Sequence, residues 1–319
     1  MSVPMINLLR ESVIGIHRLV ACSSVLSRCY LAGCRGIAPR LSKHRRSQLL
    51  NALSSVDWPS EVLNAVPVVV GDGTSINLIP HNGEFDFKAV LGGRLPYEEE
   101  VFRFLDSRMG CYSAVVEIGA NVGVFSLYFA VHLQKQGGRV YVFEPSRKAY
   151  ARLQENTRLN GLTNLECFNA AVSDKSGLLP FHEPDGHLTN GSLLPEFAAQ
   201  FSNEVTSRSV LALSADQLDV LFAGQKKILL KMDVEGYEAP LIRALAPLIE
   251  KYQPDLLIEV LPSCESAIEE AISTAAPAYR KYAITSVGLK EQTQLHAEDG
   301  RDCFLCPVGH EPRPNMLIA

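Results

Sequence analysis

From about residue 97 onward, short β-branched apolar runs alternate with longer stretches of helical spacing, and that rhythm leaves few folds open. Val101, Phe102 and Leu105 predict a helix over Tyr97–Arg108, and Ala114–Ile118 is a strand that ends in glycine and asparagine. Helix Val124–Gln136 stops at Gly137-Gly138, strand Arg139–Phe143 follows, and Ser146 caps a helix over Arg147–Leu159 that ends at Asn160-Gly161. Leu165–Val172 reads as a third strand. After an irregular, turn-rich middle over Ser173–Val210, the alternation resumes. Its members are helix Ser214–Phe222, strand Lys227–Met232, helix Glu238–Leu248, strand Asp255–Val260, helix Ser263–Ala275, strand Arg280–Ser286 and a last apolar run, Asp302–Pro307. Strands separated by helices imply an α/β fold with a mostly parallel, doubly wound sheet and right-handed crossovers. In such a sheet ligands lie beyond the carboxyl ends of the strands, near the point where strand order reverses.

Charge divides the chain. Of 30 Lys and Arg against 35 Asp and Glu, residues 1–50 hold eight cations and one acid, Glu11, so this segment carries +7 and the remainder −12. An acidic body lacks the clustered Lys and Arg of a nucleic-acid surface, and no nucleic-acid partner is expected. No apolar run approaches the ~20 residues that span a bilayer. The basic, acid-poor start, with Ile6, Leu9, Val13, Ile16 and Val20 near helical spacing, fits a helical extension packed on the domain or on a partner. The same composition fits an organelle transit peptide, the alternative to a cytoplasmic location. The organisation expected is a basic helical extension over 1–60, a lead-in of short strands over 61–96 around the turn Gly71-Asp72-Gly73, and the main domain over 97–319. Eight irregularly spaced cysteines are too sparse for a disulfide scaffold, and the lone Cys303-x-x-Cys306 pair reads as part of a core strand rather than a zinc site.

Three strand ends carry chemistry. The first is Glu117-Ile118-Gly119-Ala120-Asn121-Val122-Gly123, where glycines permit a tight turn and the next helix offers free N–H groups. Asn121 stands where a dinucleotide fold needs its second glycine, and Glu117 suits a cation better than a pyrophosphate. The second is Phe143-Glu144-Pro145, with an acid placed to accept both hydroxyls of a ribose. On its own Glu144 could equally cap the next helix. Together the two strand ends suggest a nucleoside with a positive group near the glycine turn, a description S-adenosylmethionine meets. The third is Lys231-Met232-Asp233-Val234-Glu235-Gly236-Tyr237-Glu238, with three acids within six residues. There Asp233 and Glu235 can take a proton from a hydroxyl, orient a substrate or hold a divalent cation, whereas Glu238 also suits a helix N-terminus.

These motifs, with Asn156–Gly161, Ala171–Asp174, Asn190–Ser192 and the upstream Gly92–Glu100, resemble those of the FkbM-type methyltransferases, over about residues 85–260. The resemblance implies a class I, Rossmann-like methyltransferase fold whose last strand, Asp302–Pro307, is reversed. It implies S-adenosyl-L-methionine as cofactor and O-methylation of a hydroxyl on a small molecule, a sugar or natural-product intermediate. Carried onto this chain, Glu117 orients the methionine amine, Gly119, Asn121 and Gly123 line the methionine moiety, Glu144 takes the ribose hydroxyls, and Ala171 edges the adenine. Asp233 and Glu235 match the family's acidic motif and are the expected catalytic residues, with no metal site assigned. The expected mechanism is in-line displacement, with Asp233 assisting proton removal and His182 or His187 touching the acceptor. The rival readings are a catalytically idle cofactor-binding partner and a nicotinamide-dependent oxidoreductase. The basic N-terminus and the segment Ala276–Ala319 depart from the family pattern.

Overall fold

The structure, a computed structural model, describes residues 15–71, 73–313 and 316–317. Ile6, Leu9 and Val13 of the basic segment, and Asp72 of the first turn, lie outside the described residues. The chain divides into two compact units, Met1–Tyr97 and Glu98–Ala319.

In the first unit, helices α1 (Ser24–Ile37) and α2 (Lys43–Ser54) begin at Ser23 and Ser42, whose hydroxyls accept the backbone N–H groups of Leu26 and Arg45. A small sheet follows: β1 (Val66–Val70) pairs antiparallel with β2 (Thr74–Leu78) and parallel with β3 (Gly93–Arg94). Leu31, Leu53, Trp58, Val62, Phe87 and Val90 form one core beneath the helices. The indole of Trp58 donates to the Leu53 carbonyl, which satisfies its one polar atom in that core.

In the second unit the alternation gives α3 (Glu99–Asp106), β4 (Ala114–Ile118), α4 (Val124–Gln134), β5 (Arg139–Phe143), α5 (Arg147–Leu159), β6 (Leu165–Phe168), β7 (Ala171–Ser173), β8 (Gly177–Pro184) and β9 (Val205–Ser214). It continues with β10 (Ile228–Met232), α6 (Glu238–Tyr252), β11 (Asp255–Glu259), α7 (Glu265–Ala275), β12 (Arg280–Thr285), β13 (Gly288–Gln292) and β14 (Asp302–Cys306). Among the described residues the main sheet has eight strands in the order β13-β12-β14-β11-β10-β4-β5-β6. Strands β11, β10, β4, β5 and β6 are parallel, and β14 runs antiparallel between β11 and β12. This is the doubly wound, class I Rossmann-like arrangement with the reversed last strand that the sequence led us to expect. Strand order turns back between β4 and β10. Both are buried along their whole length, as parallel strands covered on two faces must be.

Several expectations are corrected. The strand expected over Leu165–Val172 breaks at Asn169, whose side-chain amide donates to the carbonyls of Glu144 and Pro145. Only Leu165–Phe168 joins the main sheet, and Ala171–Ser173 joins a second sheet with β8 and β9. The middle segment is therefore not irregular throughout. The β8–β9 pair is a long antiparallel ladder in which Pro180 and Pro184 are tolerated because β8 is the edge strand of this sheet, pairing beyond β9 through the His182–Ser192 bridge between the two prolines. The expected helix Ser214–Phe222 is a 3₁₀ turn, Ala215–Leu218, running into a single helical turn, Asp219–Phe222, with Ser214 and Gln217 forming a capping box. Polar edge strand β13 carried too little apolar signal to be expected. Cys303 and Cys306 are both buried on β14. An odd spacing along a strand puts them on opposite faces, and burial pushes both thiols up to about 12.

Candidate active site

At the reversal point the turn after β4 meets the turn after β10. Gly119 (φ +90°) lies directly on the backbone of Asp233: a Cβ there would be 1.7 Å from the Asp233 carbonyl oxygen. The Asp233 N–H donates to the Ile118 carbonyl at 3.1 Å, and the N–H groups of Gly119 and Ala120 both donate to Phe143 O at the end of β5. Gly123 (φ +89°) starts α4 where a Cβ would strike Leu153 of α5 at 2.4 Å. Glycine is thus required at Gly119 for conformation and for space, and favoured at Gly123 by its positive φ, with a Leu153 methyl close by. Between them Asn121 takes φ +50°, a left-handed conformation that asparagine tolerates better than most residues, and its side-chain Oδ1 is buried without a hydrogen-bond partner.

Glu144 closes this turn from below. Its carboxylate accepts the Asn121 N–H and the Ser146 N–H, each at 2.7 Å. The cap of the next helix is Ser146, which accepts the Ala149 N–H, and Glu144 instead holds the N–H of that cap residue while it also pins the glycine turn. Burial drives Glu144 up to about 7 despite these two donors.

Glu117 and Lys231 are direct neighbours across β4 and β10, so both point to the face covered by α4. Ser126 of α4 donates to Glu117 at 2.6 Å, and the Lys231 ammonium lies 3.7 Å from Glu117, 3.2 Å from Asp233 and 4.7 Å from the Phe125 ring centroid. Burial pushes Glu117 up to about 7, opposed by Lys231. The two carboxylates raise Lys231 well above the ordinary lysine range, against its own burial. One buried cation therefore bridges the acid of the glycine loop and the first acid of the third motif.

Glu235 takes φ +53°, unusual for a glutamate, and its carbonyl accepts the Ser192 hydroxyl at 2.7 Å. Gly236 follows at φ +89° with Phe197 packed where a Cβ would be. The Asn190–Ser192 stretch and the short helix Pro195–Ala198 thus hold the acidic loop in place. Glu235 is raised far above the ordinary carboxylate range, first by burial and then by the charges of Asp233, Glu259 and Glu238. Glu259 and Asp302 face each other across β11 and β14 at the same sheet edge, and both are raised by burial and by neighbouring acids that include Asp233 and Glu98. Glu238 caps the Val234 N–H at 2.9 Å and sits fully buried, pushed up to about 7. Glu259 and Asp302 were not singled out from the sequence. The signal was available, since β14 is reversed and its first residue therefore falls at the edge where β11 ends.

The remaining expected residues lie elsewhere. Ala171 is buried in the second sheet among Phe181, Val210 and Ala212, three residues past the end of β6. The His182 backbone pairs with Ser192, whereas His187 is exposed and has the Phe201 ring 6.1 Å away.

Residues 117–273 match the family model of the methyltransferase FkbM domain. The methyltransferase sdnD of Sordaria araneosa is 28% identical over 142 residues, which cover 44% of this chain and 49% of that protein, so the chain spans about half the length of this curated relative. Among solved structures, the methyltransferase FkbM from Methylobacillus flagellatus aligns at 18% identity and a TM-score of 0.39, covering 61% of this chain and 43% of that one. The O-methyltransferase from Bacillus cereus in complex with SAH aligns at 14% identity and a TM-score of 0.39, covering 66% of this chain and 80% of that one. The part of the chain that holds the glycine turn, Glu144 and the acidic loop is thus the part that is similar to the FkbM methyltransferase domain.

Proposed function

We propose that this chain is an S-adenosylmethionine-dependent methyltransferase acting on a hydroxyl of a small molecule, a sugar or natural-product intermediate. The observation that supports it best is the seam at the reversal point, where Gly119 packs on Asp233 while Lys231 joins Glu117 to Asp233. This seam sets a glycine turn suited to a nucleoside ligand against a carboxylate suited to proton transfer. The residues present fit the cofactor: Asn121 offers a buried acceptor with no partner, and Glu144 lies under the turn where a ribose would be held.

On this reading Gly119, Asn121 and Gly123 line the methionine part, Glu117 and Asn121 receive its amine, Glu144 takes the ribose hydroxyls, and the β6–β7 turn before Ala171 edges the adenine. The cofactor, when bound, supplies a methyl group already activated on a sulfonium. The protein's work is then to hold the acceptor in line and to take one proton. Asp233, partly exposed and kept beside the Lys231 ammonium, is the proton acceptor, and Glu235, fixed by Ser192, orients the acceptor hydroxyl. A cytoplasmic location accords with eight cysteines that are all free thiols.

The test is mass spectrometry of a cell extract incubated with the full chain and methyl-labelled S-adenosylmethionine. A labelled small molecule made by the wild type and not by Asp233→Asn is the expected result. Label in protein or nucleic acid alone, or an Asp233→Asn variant as active as wild type, would overturn the reading.

A further inference from the structure

Helix α1 is apolar on both sides. Ser27, Leu31 and Cys34 form its buried stripe. Val25, Cys29, Gly33 and Ile37 follow one another at i, i+4 spacing on the outer side, with Leu26 beside them, and all are exposed. Val25 is 72% exposed, Leu26 56% and Ile37 50%, and the preceding helical turn exposes Ile16 at 55% and Leu19 at 74%. Five of the thirteen large apolar side chains exposed among the described residues thus fall within 22 positions, which makes a patch rather than scatter. The polar member of the outer arc of α1 is Arg28, at its rim. A helix apolar all round is ordinarily covered on both faces.

Charge identifies the cover. Between residues 15 and 50 the sequence has seven Lys and Arg and no Asp or Glu. Three of the seven are bonded within the unit's own fold, Arg35 to the Val90 carbonyl, Arg40 to the Gly36 carbonyl and Arg46 to the Gly92 carbonyl. Arg18, Arg28, Arg40, Lys43 and Arg45 are exposed. An exposed apolar face in a segment that carries five exposed cations, with Glu61 accepting the Ser24 hydroxyl at 2.6 Å near Arg28, complements a surface that is anionic and apolar beneath its charge, because cations outnumber acids there. We infer that α1 and the turn before it dock this chain on an anionic lipid bilayer, lying in the plane of the headgroups. The docking does not depend on the methyltransferase reading.

Co-sedimentation of the full chain with phosphatidylcholine vesicles, with and without phosphatidylserine, tests this. Binding is expected to phosphatidylserine vesicles alone and to fall steeply with added salt. Arg28→Gln and Arg45→Gln are each expected to weaken it about fivefold. Val25→Ser and Leu26→Ser are each expected to weaken it about tenfold, with unchanged circular dichroism because these side chains are exposed. Absence of binding to either vesicle, equal binding to neutral vesicles, or self-association in sedimentation equilibrium that Val25→Ser abolishes would overturn the inference.

Discussion

Gly119 and Asp233 meet backbone to backbone: the carbonyl oxygen of Asp233 occupies the place that a side chain on residue 119 would need. This contact joins the turns after β4 and β10, and it fixes the distance between the glycine loop and a carboxylate. Gly119→Ala is expected to lower stability by about 3 kcal/mol or more, a drop in melting temperature of roughly 6–12 °C, through strain at positive φ together with the clash. Gly161, also at positive φ but with nothing within 4 Å, provides the control. Its alanine variant pays for conformation alone, about 1 kcal/mol. Equal melting temperatures for the two variants would contradict this account of the seam.

Lys231→Met removes the cation between Glu117 and Asp233. A buried carboxylate left unpaired is expected to cost about 3–5 kcal/mol at pH 8. Glu117 already titrates near 7, above its unfolded value, and losing Lys231 raises it further. A raised carboxyl carries no penalty where it is protonated in both states, and the penalty grows as pH rises through the folded pKa. The variant should therefore lie closer to wild type at pH 5.5 than at pH 8 in urea unfolding. A constant difference would show that Lys231 acts through packing alone.

Glu144 is likewise raised to about 7. Its protonated form is favoured in the folded chain, so its contribution makes the protein less stable as pH climbs from about 4.5 to 7. Glu144→Gln cannot titrate and is expected to show a flatter dependence of melting temperature on pH over that range. It is also expected to bind S-adenosylmethionine at least about tenfold more weakly, since a hydrogen bond to a charged acceptor is lost. Parallel melting curves and unchanged affinity would remove Glu144 from the site.

Asp255 anchors the far end of the sheet. It is fully buried and meets Arg108 at 2.6 Å, Tyr112 at 2.8 Å, His310 at 3.0 Å and Lys227 at 3.4 Å. Asp255→Ala leaves cations without their counterion and is expected to cost about 3–5 kcal/mol in urea unfolding. Binding of S-adenosylmethionine by the fraction still folded should not change, because the cluster lies at the amino end of β11, whereas the reversal-point turns lie at the carboxyl ends of the strands.

The parallel sheet was readable because its strands are short apolar runs set off by turns and helix caps, and the reversed β14 followed from the resemblance. The second sheet was not. Pro180 and Pro184 in β8, and the mixed polar positions of β9, weaken a strand signal that only their mutual pairing restores. Glu117, Glu144 and Asp233 could be found as acids at strand ends. The Lys231 bridge could not, because it depends on β4 and β10 being neighbours in register, and sequence order separates them by more than a hundred residues. Ser192 holding Glu235 was hidden for the same reason.

Calorimetric titration of the full wild-type chain with S-adenosylmethionine, and in parallel with NAD, tests the central claim most directly. The account predicts one site for S-adenosylmethionine per chain, weakened by Glu144→Gln and kept by Asp233→Asn, with no heat from NAD. Binding of NAD, or no binding of S-adenosylmethionine to a folded chain, would contradict it.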